Sequence, residues 1–373
     1  MKAIPKPNLR INTLANYVGT GVLVFLSLLT VPYFLNYLGA EAFGLIGFLL
    51  VLQNIFAVFD LGFSQLVSRQ IAKARADDDF AALIELLKSV EFYFLFFLLG
   101  LSILGILFSN WFSNFWFGSK NLELALVENS VIAMLVVIGI QSFIRLYRMG
   151  ILGYEAQVWV SFVSISFGIL RYLGSLVFVI YISQNIFHYF LFQLAVLCLE
   201  AMAYAFRLYC ILPVQKKILP RFSWRTIKKE LPLSISLCLA SLIWGITSQY
   251  DKLLMSSVLT LEHFGFFSII SLLASGCIYI ALPIRQAVQP RFTRLLAEDN
   301  EQEAIALYRK ASHYALLLSS VLVSFLCFFG DEVIFVWTRD DTATEFIKPL
   351  LTIFCLGGLY YAPQTILVGL KVA

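Results

Sequence analysis

Two charged residues stand deep inside apolar runs: Arg171 in "FGILRYLGSLVF" and Glu200 in "LCLEAMAY". A cation near the middle of a lipid-facing helix costs about 2.5–3.5 kcal/mol on insertion scales, so Arg171 should face protein or water. The chemistry open to it is electrostatic. It could hold an anionic group in a cavity, or it could form a structural ion pair with Glu200. Counted from the outer ends of their apolar runs, Arg171 is 11 residues deep and Glu200 is 14. At about 1.5 Å per residue the depths differ by only about 5 Å, within side-chain reach.

The other candidates are less central. Asp251 and Lys252 fall near the outer end of a long apolar run. The aspartate could bind a coupling cation or line an outer gate, or it could be an interfacial acid beside a snorkelling lysine. Asp60, in "FDLGFSQ", is open to the same two readings at an inner end. Arg69, Arg145 and Arg148 could form an inner vestibule for an anion, or could simply follow the excess of cations on cytoplasmic loops. Covalent chemistry has no residues to rest on. The three histidines, His188, His263 and His313, have neither metal-ligand nor triad spacing. The six cysteines are scattered through apolar runs without a CxxC pair. No Gly-rich phosphate loop is present. No catalytic residue, metal or cofactor is expected.

What must position these residues is a membrane protein. The 373 residues are 60% hydrophobic and 13% charged, with a mean hydropathy of +0.85. Soluble domains are about 45–50% apolar and about 25% charged. So few charges cannot cover a wet surface. Ten runs are long enough to cross a bilayer, which takes about 20 residues. They are Leu14–Tyr37, Phe43–Leu66, Ser89–Phe108, Leu126–Tyr147, Val158–Ile182, Ile186–Phe206, Leu231–Leu259, Phe264–Ile284, Tyr314–Val336 and Phe346–Leu370. Both faces of these runs are apolar, so strand alternation is absent and the fold is all-α. The first run exceeds the roughly 7–15 residues of a signal-peptide core and is read as a retained helix.

Cations set the orientation. With the N-terminus in the cytoplasm, 22 of the 27 Lys and Arg residues fall on the cytoplasmic side, and only Lys120, Arg339 and Lys348 fall outside. This asymmetry is the positive-inside pattern. The net charge of +4 therefore needs no nucleic acid as partner.

The chain also repeats itself. "LGAEAFGLIGF" (Leu38–Phe48) is echoed by "LTLEHFGFFSI" (Leu259–Ile269), 221 residues later. Without a gap, the same offset also pairs Gln65, Ala76 and Tyr93 with identical residues. The unit recurs after six crossings, and an even number returns the chain to its starting side. The halves should then share one orientation, with residues 1–212 as a six-helix bundle, 213–232 as a basic cytoplasmic linker and 233–373 as a second bundle. If Gly153 corresponds to Gly369, about 50–60 residues forming two helices are expected after Ala373. The polar runs Arg69–Lys88 and Arg291–Arg309 have helical spacing and are expected to form amphipathic helices at the inner surface. The tract "SNWFSNFWFGSKN" (Ser109–Asn121) reads as an aromatic belt or a sugar-stacking platform.

The stretches "YLGAEAFGLIGF", "DLGFSQLVSRQIA", "SQYDKLLMSSVLTLEHFGFFSI" and "ALPIRQAVQPRFTRLLAE" resemble the polysaccharide and O-antigen flippases of the multidrug/oligosaccharidyl-lipid/polysaccharide superfamily. The resemblance runs over essentially the whole chain. It implies a MATE-like architecture of two six-helix bundles about a central cavity, although the chain supplies only four helices to the second. It also implies translocation of undecaprenyl-diphosphate-linked oligosaccharide across a bacterial cytoplasmic membrane by alternating access, with no bond broken. The anion at Arg171 would be the diphosphate or acidic sugars, and polysaccharide-assembly proteins would be the partners. The alternatives are a cation-coupled multidrug exporter, a peptidoglycan-precursor flippase or, in another class, a membrane glycan polymerase. A polymerase would be expected to present a long outer loop, which these short connections lack.

Overall fold

The computed structural model describes residues 9–77, 80–116, 122–154, 156–212, 243, 247–297 and 300–372. Among them the chain is all-α, and nine helices are long and apolar enough to cross a membrane. The seventh predicted run, Leu231–Leu259, and the basic linker Pro213–Pro232 lie largely or wholly outside the described residues. Large side chains on the outer surface are apolar, Phe206, Phe328 and Tyr360 among them. Such a surface suits lipid, and the chain is a multi-pass membrane protein.

The chain divides into two compact units, Met1–Glu262 and His263–Ala373. In the first unit the elements are α1 (Leu9–Leu38), α2 (Ala40–Phe56), α3 (Phe63–Asp77), α4 (Ala81–Trp111), α5 (Leu124–Gly153), α6 (Gln157–Ile169), α7 (Ser175–Tyr181), α8 (Ile186–Ile211) and α9 (247–258). Helix α5 is central, packing on α3, α4 and α8, while α1 packs on α6. Small residues permit the closest approaches. A Cβ on Gly153 of α5 would stand 2.7 Å from the Ser68 carbonyl oxygen of α3.

The second unit holds most of α10 (Leu261–Ala297), with α11 (Glu301–Thr338) and α12 (Asp341–Val372). Its core is again small against large: Ala281 and Phe292 of α10, Ala311 and Ala315 of α11, Ala362 and Ile366 of α12. Helix α11 bends at Phe329 (φ −119°), just before Gly330. A Cβ on Gly330 would reach within 2.4 Å of the Leu351 side chain of α12. Lys348 and Asp331 form an ion pair between these two helices.

The 221-residue offset reappears, to within one residue, in the element boundaries. Helix α2 starts at Ala40 and α10 at Leu261; α4 starts at Ala81 and α11 at Glu301. The first copy is interrupted where the second is not. A 3₁₀ turn at Ala57–Asp60, then Leu61 (φ 49°) and Gly62 (φ 74°), break the path between α2 and α3. Helix α10 runs straight through the matching positions, where the second copy has Pro283 in place of Gly62. The span predicted as Phe43–Leu66 is therefore two helices. The polar runs Arg69–Lys88 and Arg291–Arg309 are the abutting ends of α3 and α4, and of α10 and α11, rather than separate helices. Hydropathy marks only the lipid-embedded part of a helix, so α4 and α11 begin earlier than their apolar runs.

The repeated "LGAEAFG" has a structural explanation in the first copy. Gly39 joins α1 to α2 at φ 85° and ψ 163°, a region essentially reserved for glycine. The buried Glu41 accepts the Leu122 backbone N–H at 3.1 Å and so ties down the chain entering α5. Gly39→Ala is expected to lower stability by about 1–3 kcal/mol, read as thermal unfolding of the detergent-purified protein. An unchanged unfolding curve would contradict the backbone assignment at this turn.

Candidate functional site

Helix α8 carries polar residues at Tyr189, Gln193, Glu200, Tyr204 and Arg207. Their spacings of 4, 7, 4 and 3 place all five on one face. That stripe is occupied by α6 and the segment that follows it. Tyr204 donates to the Val160 carbonyl at 3.3 Å and lies 2.8 Å from the Ser164 hydroxyl. Its ring meets Trp159 edge-on at 5.6 Å, and the Arg207 guanidinium lies over the same indole at 5.5 Å. Cation–π contact partly replaces the water that Arg207 gives up.

Arg171 sits where α6 widens into a five-residue π-helical turn, Leu170–Gly174, before α7 resumes. Such turns are rare and concentrate at functional sites. Here side chains support the turn. The Arg171 carbonyl accepts the Gln193 amide at 3.1 Å and also the Ser175 hydroxyl. The Arg171 guanidinium Nε lies 3.8 Å from Glu200 Oε2, so the two charges that the sequence placed at similar depth do meet. The contact is loose. Neither Arg171 Nε nor Glu200 Oε2 has a hydrogen-bond partner, and the Arg171 side chain is 26% exposed against 5% for Glu200. A closed guanidinium–carboxylate pair would stand at about 2.7–2.9 Å. Arg148 of α5 is exposed, and its charge also reaches Glu200.

The remaining predicted residues fall elsewhere. Arg145 Nη1 donates to the Ala57 carbonyl at 3.2 Å, so it caps the 3₁₀ break, and its charge acts on Asp60. Asp60 accepts the Ser64 hydroxyl at 2.5 Å, at the start of α3, where a carboxylate complements the helix N-terminus. Arg69 is exposed on α3. Asp251 is exposed and Lys252 half-buried on α9, and no described contact joins either to Arg171 or Glu200. Within the aromatic tract a second π turn spans Phe112–Trp116, and Asn110, just before it on α4, donates to Glu128 at 3.0 Å; residues 117–121 lie outside the described residues.

A second polar cluster was missed from the sequence. Glu91 of α4 accepts the Tyr147 hydroxyl of α5 at 3.1 Å and the Tyr209 hydroxyl of α8, while Lys88 pairs with its other oxygen at 2.8 Å. Lys88 also lies 4.6 Å from the Tyr209 ring centre. An acid inside the apolar run Ser89–Phe108 was the available signal, of the same kind as Arg171.

The loosely paired, partly exposed Arg171 can attract an anion. Among the described residues no group of three metal-ligating side chains comes together. Solved structures of similar fold include MATE family transporters. An inward-facing multidrug resistance MATE family transporter of the MOP superfamily aligns with a TM-score of 0.70 at 17% identity, covering 94% of this chain and 82% of that one. An outward-facing structure of a transporter so described gives 0.64 at 15%, with 96% and 82% covered. A MATE in complex with MaL6 gives 0.62 at 16%, again with 96% and 82% covered. No curated protein matches the sequence. The family described as polysaccharide biosynthesis protein matches residues 9–296, and with that match over most of its length the chain belongs to this family, as a multi-pass membrane protein whose fold is shared with MATE transporters.

Proposed function

We propose that the protein flips an undecaprenyl-diphosphate-linked oligosaccharide, such as an O-antigen repeat unit, from the inner to the outer leaflet of a bacterial cytoplasmic membrane. In this reading the N-terminus is cytoplasmic, and the two halves, 1–212 and 233–373, are parallel repeats joined by the basic linker. Alternation between inward and outward openings moves the polar headgroup, and no covalent step is needed. One observation carries the reading. Arg171 is a cation inside a membrane-spanning segment that is only loosely paired and partly exposed. A purely structural pair would close and satisfy both partners, because an unsatisfied buried charge is expensive. A diphosphate could complete the guanidinium fork. Membership of the polysaccharide biosynthesis family supports the same substrate class.

A multidrug exporter of the same fold is the second reading, resting on Glu200 as a buried acid. An organic cation would have to displace Arg171 from that acid, which weighs against it. The deciding experiment places the purified protein in liposomes with a fluorescent isoprenyl-diphosphate-linked disaccharide, and separately with rhodamine 6G. Protein-dependent movement of the lipid-linked sugar between leaflets is expected. Dye transport without sugar movement would overturn the proposal in favour of the exporter.

A further inference from the structure

The geometry points to Gln193, seconded by Ser175, as the residue that positions Arg171 to take a diphosphate rather than a monophosphate. This rests on the reading of Arg171 as the substrate's anion site. The widened turn Leu170–Gly174 presents the Arg171 carbonyl to side-chain donors, and two occupy it: the Gln193 amide, 3.1 Å away on α8, and the Ser175 hydroxyl one turn on. Gly174 lets the turn press against α8, since a Cβ there would stand 3.2 Å from the Phe192 ring. The Gln193 amide is itself held, donating also to the Tyr189 hydroxyl at 3.1 Å. One residue of register in a helix is about 100° of rotation. Collapse of the turn to ordinary α geometry would therefore swing the Arg171 guanidinium away from Glu200 and from any ligand beside it. Gln193 is thus a positioning residue. It acts on the backbone of Arg171, through a contact that Arg171's own side chain does not share.

The test is a ratio. Farnesyl diphosphate and farnesyl monophosphate share an apolar tail; a guanidinium fork can grip the terminal phosphate of either, but the diphosphate brings a second phosphate and more negative charge to a correctly placed cation. Their dissociation constants are measured by calorimetry on the full chain in nanodiscs. The intact protein should prefer the diphosphate. Gln193→Leu keeps the bulk and loses the donor, and should cut that preference roughly five- to tenfold, the scale of one net hydrogen bond. Ser175→Ala should cut it about two- to threefold. General destabilisation would weaken both ligands together and leave the ratio alone. Loss of preference in Arg171→Ala, with the ratio kept in Gln193→Leu and Ser175→Ala, overturns the positioning role and spares the anion site. A ratio kept in Arg171→Ala overturns the anion site itself. Should Gln193→Leu not accumulate in the membrane, Ser175→Ala decides, and an unchanged ratio there counts against the positioning role.

Discussion

On the proposed function, Arg171→Ala is expected to lower transport of lipid-linked oligosaccharide about tenfold or more while the protein stays in the membrane at close to normal abundance. The transport loss follows from removing charge-assisted hydrogen bonds to the headgroup, each on the order of 1.5–3 kcal/mol. The normal abundance follows from the geometry around Glu200. Removing one partner of a closed, buried pair costs about 3–5 kcal/mol. This pair is open at 3.8 Å, its cation is a quarter exposed, and the charge of Arg148 also reaches Glu200. Losing so open a pair should cost the fold less than losing a closed one. Arg171→Lys should keep part of the activity, since it preserves charge and loses the planar fork. The measurement is membrane abundance beside oligosaccharide transport for Arg171→Ala, Glu200→Ala and the double variant. Transport restored in the double variant, with low abundance in the single ones, would make the pair structural and remove Arg171 from the substrate path.

The parts of this protein set by lipid were legible in the sequence. A bilayer demands long apolar helices and expels charge, so the spans and the exceptional Arg171 stand out from composition alone. The Arg171–Glu200 meeting was also legible, because depth along two neighbouring helices is simple counting. The π turn at Arg171 was not. Its supports lie on another element, at Gln193, and no local pattern in "GILRYLGS" distinguishes it from continuous helix. The break at Leu61–Gly62 carried a weak local signal, the glycine of "DLG", which a hydropathy window averages away. Glu91 was overlooked because orientation is read from lysine and arginine alone, and acids do not enter that count. The general lesson is narrow. One-dimensional signals report what solvent imposes, whereas a polar contact between helices depends on packing that sequence spacing does not specify.

Glu91 is the residue whose loss should cost the fold most. Its carboxylate joins three helices, taking the hydroxyls of Tyr147 and Tyr209 on one oxygen and the Lys88 ammonium on the other. Only 14% of its side chain is exposed. Glu91→Leu leaves Lys88 without its acid and two phenols without their acceptor, and should destabilise the protein by about 3 kcal/mol. Glu91→Gln should cost less, because its amide oxygen still accepts a phenol while the charge on Lys88 goes unanswered. Adding Lys88→Met to Glu91→Leu should recover part of the loss, since the unpaired cation is then gone. Tyr209→Phe should cost about 1.5–3 kcal/mol, the worth of a single hydrogen bond to a charged group. Thermal unfolding of the four variants in detergent gives the order directly. Because this cluster ties α4 and α5 to the last turn of α8, the same variants should lose transport only in proportion to folded protein. A Glu91→Leu protein that unfolds normally would show that these contacts contribute nothing to stability. One that unfolds normally but fails to transport would move Glu91 from the scaffold to the transport cycle.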